Sequence, residues 1–101
     1  MLRFASRTVE SFAMAISSLE WTEQLDFECR QLIKADRDIE EGWQRIRDQE
    51  DRIRELSAGG HDARQALRLV DVLKQTLTEW QRHRVLIEQR IAYLQGQIGP
   101  N

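Results

Sequence analysis

Apolar residues recur along this chain with the period of a helix, on both sides of a single interruption. Leu25, Leu32, Ile39, Ile46 and Ile53 stand seven residues apart, and Glu28, Ala35, Gly42, Gln49 and Leu56 each follow three residues later. Beyond the interruption, Val70, Leu77, Arg84, Ile91 and Ile98 form one row and Ala66, Leu73, Trp80, Ile87 and Leu94 the other. The steps alternate between three and four. Sustained over about four heptads, such a seam specifies helices packed in the manner of a left-handed coiled coil. Arg84 is the polar exception in the second segment.

The interruption is Ser57-Ala58-Gly59-Gly60-His61-Asp62. A glycine here can take the left-handed conformation that closes a helix. Asp62 is placed to cap the next helix, with Gln65 three residues on completing a D-x-x-Q form of the capping box. Pro100 follows Gly99 where the second helix should already have stopped. The punctuation predicts helices over about 18–57 and 62–97 joined by a turn at 58–61.

A chain that reverses near residue 59 or 60 brings together positions whose numbers sum to about 119. Ile46 then faces Leu73, Gly42 faces Leu77, Ile39 faces Trp80, Ala35 faces Arg84 and Leu32 faces Ile87. Large residues meet small ones at several layers, as interdigitation requires. Glycine in a helix interior costs roughly 1 kcal/mol against alanine, so Gly42 is expected to serve close approach near Trp80. Arg84 should find an acid in Asp36 or Asp38 at the edge of the seam.

Residues 1–17 differ in kind. Leu2, Ala5, Val9, Phe12 and Ile16 repeat the helical step, but out of phase with the seam through Trp21 and Leu25. Ser17 with Glu20 reads as a capping box that starts the first long helix after an amphipathic or flexible extension. Arg3, Arg7, Ser6, Thr8 and Ser11 with one acid, Glu10, also have the composition of a mitochondrial presequence. A short docking helix, or an extension upstream of a start at Met14, are the other readings.

The chain has 101 residues, enough for one small domain. Its 15 basic and 17 acidic residues nearly cancel, and with one Pro and five Gly this argues for solvated helices rather than disorder. Residues 18–57 carry 12 acids and 7 bases, and residues 62–98 carry 4 acids and 6 bases. Opposite signs on neighbouring helices favour their pairing, though each exposed pair contributes only about 0–1 kcal/mol. Within the first helix Glu41–Arg45, Asp48–Arg52 and Glu50–Arg54 have i,i+4 spacing. No apolar run approaches the roughly 20 residues of a membrane span.

Candidate chemistry is sparse. A single cysteine, Cys29, excludes an internal disulfide. Glu79 and His83 share a helical face, but without a third ligand they read as ordinary polar residues, as does His61 in the turn. No glycine-rich phosphate loop or catalytic triad context is present, so neither an enzyme nor a cofactor nor a small-molecule substrate is expected. Arg45, Arg47, Arg52 and Arg54, and Arg82, Arg84 and Arg90, are interleaved with carboxylates or spread around the helix, a weak basis for nucleic-acid binding.

The informative surplus is apolar. Leu69, Val72, Val85, Leu86, Ala92 and Tyr93 on the second helix lie off the seam, as do Phe27, Ile33 and Trp43 on the first. Trp21 extends the seam's apolar face. An isolated two-helix hairpin of this size is marginal in stability. Leu69, Val72, Leu86, Tyr93 and Trp43 are therefore the candidate partner interface, with self-association into a dimeric four-helix bundle as the expected outcome. The alternative covering is the N-terminal segment folded back as a third helix.

Asp38-Ile39-Glu40-Glu41-Gly42-Trp43-Gln44-Arg45-Ile46, the turn Gly59-Gly60-His61-Asp62-Ala63, Leu73-x-x-x-Leu77 and His83-Arg84-x-Leu86-Ile87 resemble short uncharacterised helical proteins of alphaproteobacteria. The resemblance covers about residues 25–95. It implies a helical hairpin in a bacterial cytoplasm and carries no activity, cofactor or catalytic residue. The expectation is thus an all-α antiparallel hairpin, dimeric and non-enzymatic, acting as an interaction or regulatory module. An adaptor docking another protein's helix or a membrane surface is the alternative, and a nucleic-acid-associated protein the third.

Overall fold

The computed structural model describes the backbone of residues 2–98 and the side chains of residues 18–98. The architecture is two helices, α1 (Leu2–Ala58) and α2 (Arg64–Ile98). They pack against each other as an antiparallel all-α hairpin 87 Å long and 19 by 16 Å across. At about 1.5 Å per residue the 57 residues of α1 account for that length by themselves. The 35 residues of α2 reach back only to the level of Trp21. The remainder of α1 therefore runs on with no helix opposite it.

The expected start of a helix near residue 18 is not what forms. Helix α1 passes through Ser17-Ser18 without interruption, and the carbonyl of Ser18 accepts a hydrogen bond from Thr22 Oγ1 at 2.9 Å. Ser17 is thus no cap. A serine in a helix interior costs only about half a kcal/mol against alanine, too little by itself to stop a helix. Because α1 is one helix, no third helix folds back over the hairpin among the described residues. The side chains of the amphipathic stretch from Leu2 to Ile16 and the Gly99-Pro100 stop lie outside the described residues.

The turn is a Schellman motif. His61 N–H donates to the Leu56 carbonyl at 2.8 Å and Gly60 N–H to the Ser57 carbonyl at 3.1 Å, six-to-one and five-to-two pairings that satisfy the last carbonyls of α1. Gly60 sits at φ +73°, a conformation that costs an L residue with a Cβ and costs glycine nothing. Asp62 Oδ1 accepts the backbone N–H of Arg64 at 3.0 Å, as a cap should. The other half of the expected capping box, a bond from the Asp62 backbone N–H to the Gln65 side chain, is not made among the described residues. The Asp62 carboxylate is held in addition by the Arg64 guanidinium, at 2.8 Å to Oδ2, a charge-assisted pair.

The seam closes as the heptads require. Every position of both rows from Leu25 to Ile98 is buried or half-buried, and Ile46 and Ile87 are each 1% exposed and Leu77 2%. The register is the expected one. A Cβ added at Gly42 would lie 3.2 Å from Leu77 Cδ1 and 3.3 Å from Trp80 Cζ3. The glycine is what lets the indole lie against the α1 backbone. Arg84, in the seam, turns its guanidinium outward to Asp36 and Glu88. Asp38 pairs instead with Lys34, at 2.8 Å.

None of the three expected i,i+4 pairs of α1 is made among the described residues. Asp26–Arg30 (3.2 Å), Lys34–Asp38 and Asp51–Arg54 form in their place. Arg54, for example, has Glu50 four residues before it and Asp51 three residues before it, and differences of tenths of a kcal/mol choose between such partners.

Candidate functional site

With the seam on heptad positions a and d, the remaining side chains of each helix divide between two flanks, one holding positions g and c and the other e and b. Two shallow grooves show how the flanks combine. Arg52 of α1 and Leu69 of α2, both at g, line one of them together with Gln49, Gln65 and Ala66. Glu50 of α1 and Leu67 and Lys74 of α2, all at e, line the other with Ile53 and Val70. In this antiparallel pair g therefore meets g along one edge of the hairpin and e meets e along the opposite edge.

This division sorts the apolar surplus. Along α2 the g and c positions read Leu69, Val72, Thr76, Glu79, His83, Leu86, Arg90 and Tyr93, with steps alternating three and four. That is a second heptad stripe, rotated by about 100° from the first. Leu69, Val72, Leu86 and Tyr93 in it are between 43% and 64% exposed. Thr76 Oγ1 donates to the Val72 carbonyl at 2.9 Å, which satisfies its hydroxyl within the helix. The four sequence-predicted residues of α2 thus share one stripe. Trp43, the fifth, is 43% exposed but occupies an e position of α1, on the other edge. It is not brought together with them.

The e and b edge carries a looser scatter: Ile33 of α1 lies near the level of Val85 of α2, both more than half exposed. Cys29, a free thiol of intermediate burial, stands on the same edge. Leu19 and Leu67, 61% and 50% exposed, also belong to this edge and escaped the sequence reading. The corresponding g and c row of α1 is different in character. Its c positions are Phe27, Lys34, Glu41, Asp48 and Glu55, charged after the first.

One polar feature was not anticipated. Glu28, in the seam, is 7% exposed, and its Oε1 accepts from Arg90 Nε at 3.0 Å across the two helices. Its Oε2 is buried without a partner among the described residues. The signal was available: Glu28 and Arg90 have opposite charge and nearly satisfy the facing sum. A lone acid in an apolar row simply did not announce which neighbour would cover it. Arg90 gives its Nε to this contact while its side chain stays 48% exposed, so its methylene stem borders the outer stripe.

Elsewhere the charges are local. Glu79 Oε1 accepts from Arg82 at 2.7 Å, and His83 is exposed four residues after Glu79. Asp62 is held below the ordinary carboxylate pKa by its hydrogen bonds to the Arg64 side chain and backbone, and the Arg84 guanidinium is pushed up by its bond to Asp36. Among the described residues no three His, Cys, Asp or Glu side chains come together as metal ligands, and no helix is long and apolar enough to cross a membrane. Of the seven arginines considered for phosphate contact, four are paired with acids: Arg54 to Asp51, Arg82 to Glu79, Arg84 to Asp36 and Glu88, Arg90 to Glu28.

Comparisons with known protein families, with curated proteins and with solved structures find no match.

Proposed function

We propose that this chain is a non-enzymatic helical interaction module whose partner is a second copy of itself. The observation that carries the reading is the second stripe of α2. Its apolar side chains are spent on nothing within the hairpin, although they repeat with the same period as the seam that is. A hairpin only 19 by 16 Å in section exposes an unusual share of its surface for its mass, and burying further apolar area contributes about 25 cal/mol per Å². Association is the direct way to gain it.

The test is absolute mass in solution by light scattering after size exclusion, over a hundredfold range of concentration. A mass near twice 11.9 kDa is expected. A monomer at every concentration would overturn the reading. The adaptor alternative draws on a separate observation, the part of α1 that runs past the end of α2 with no helix opposite. A partner helix or a lipid surface docking there is the second reading, and helicity or protection of residues 2–20 that depends on added vesicles or partner would favour it.

A further inference from the structure

We infer that two copies join through α2 alone, packed antiparallel, with the two-fold axis passing midway between Glu79 and His83. The inference rests on the self-association proposed above and specifies its surface, direction and register. An interface between identical chains related by a two-fold axis must be complementary to its own reversed image. The outer stripe of α2 has that property. Its apolar residues stand at the two ends, Leu69 and Val72 toward the turn and Leu86 and Tyr93 toward the open end, with an acid and a histidine in the middle.

Reversal about that axis brings Leu69 to the partner's Tyr93 and Thr76 to the partner's Leu86. Val72 then meets the methylene stem of the partner's Arg90, whose guanidinium is already engaged by Glu28 within its own chain. At the centre Glu79 meets the partner's His83, twice by symmetry. Glu79 Oε1 is taken by Arg82, while Oε2 accepts nothing from the described residues and can receive the imidazole N–H. A parallel arrangement would instead set Glu79 on Glu79 and His83 on His83, with no hydrogen bond from imidazole to carboxylate across the contact.

The register follows from the length of the stripe. Sliding the copies by one heptad in one sense carries Leu69 beyond the end of α2, and in the other carries Tyr93 to Asp62 in the turn. Only the register centred between residues 79 and 83 covers all four apolar residues, over about 36 Å of helix. The choice of helix follows from charge: beyond Phe27, the matching row of α1 offers Lys34, Glu41, Asp48 and Glu55, which would have to be desolvated. The two α2 helices therefore lie at the centre of the dimer and the two α1 helices outside.

The experiment uses the full chain carrying Cys29→Ser, with Leu69→Cys and Tyr93→Cys made as separate variants and their helicity checked by circular dichroism. Each is oxidised alone and as an equal mixture with oxidised glutathione, and cross-linked dimer is read on a non-reducing gel. The expected result is cross-linked dimer in the mixture at least tenfold above either variant alone. In the antiparallel register, residues 69 of the two copies are about 36 Å apart. Cross-linking of Leu69→Cys by itself would overturn the direction. Thr76→Cys mixed with Leu86→Cys repeats the test one layer nearer the axis, should the outer substitutions weaken the contact. A Cys29→Ser parent that scatters as a dimer while neither mixture cross-links would overturn this inference and leave self-association standing. A monomeric parent would overturn both.

Discussion

The two helices of the hairpin have the same heptad seam and different outer surfaces. Around its seam α1 is charged at most positions, and its exposed apolar outliers, Leu19, Phe27, Ile33 and Trp43, are separated from one another by charged or polar residues. Helix α2 carries a seam and, beside it, a second stripe that keeps the same period. The contrast separates two demands on one sequence. A seam is enough to make a hairpin, and a second stripe is needed only where something else must be held. Depth of burial agrees: the buried apolar residues of the second helix are all in the seam, while every large apolar residue of its outer stripe remains exposed.

Leu77→Asp should have the largest effect, since it places an unpaired carboxylate in the layer under Gly42. The cost should exceed about 4 kcal/mol, most of the stability of a small domain, so thermal melting followed by circular dichroism should lose its cooperative transition. A melting midpoint like that of the parent would sink the register. Gly42→Leu comes next, because the side chain would have to enter the space between Leu77 and the Trp80 ring. Overpacking there should cost about 1–3 kcal/mol in chemical denaturation. Gly42→Ala should stay within about 1 kcal/mol of the parent, as gained helix propensity offsets the 3.2 Å approach to Leu77.

The Glu28–Arg90 layer should respond with opposite signs. Arg90→Leu leaves a buried carboxylate uncompensated and should cost on the order of 1–3 kcal/mol, less than a fully buried pair because Arg90 is 48% exposed. Glu28→Leu fills the same layer with hydrocarbon and should be neutral or stabilising by up to about 2 kcal/mol. If Glu28→Leu instead destabilises the hairpin more than Arg90→Leu does, the pair is a net stabiliser and the desolvation argument fails.

Asp62→Ala should lower the melting midpoint by a few degrees at neutral pH, and that difference should depend on pH in a defined way. The folded-state pKa of Asp62 is lowered, so its contribution is present above the unfolded-state value and disappears as pH falls through the lowered one. The two proteins should therefore converge on acidification below about pH 4. A difference that persists unchanged at pH 2 would mean that the cap does not act through its charge. The smallest effect on the hairpin itself belongs to Tyr93→Glu, on the outer stripe. Its helicity and dilute-solution melting should match the parent while its mass at high concentration shifts toward the monomer. A parent-like mass would remove Tyr93 from the contact.

Much of this was legible in the residues. Two rows at heptad spacing, one glycine pair and an aspartate are local signals, and each is read by a short-range rule about helix period, left-handed backbone or capping. Gly42 beneath Trp80 and Arg84 beside Asp36 followed from counting outward from the turn. The start of α1 was not legible, because Ser17 with Glu20 satisfies a capping pattern that a continuing helix satisfies equally well. Nor was the partner of Glu28, since covering a buried acid is settled by whichever cation lies across the groove.

The sequence by itself determined two helices, their seam, their turn and the register between them, because helix period and glycine placement act within a few residues. Only the tertiary structure decided which residues of the two helices share an edge. The stripe of Leu69, Val72, Leu86 and Tyr93 follows from the period of α2, but Trp43 lies on the opposite edge because an antiparallel pair sets g against g and e against e. That assignment belongs to two helices in contact, and it cannot be computed from the periodicity of either one alone.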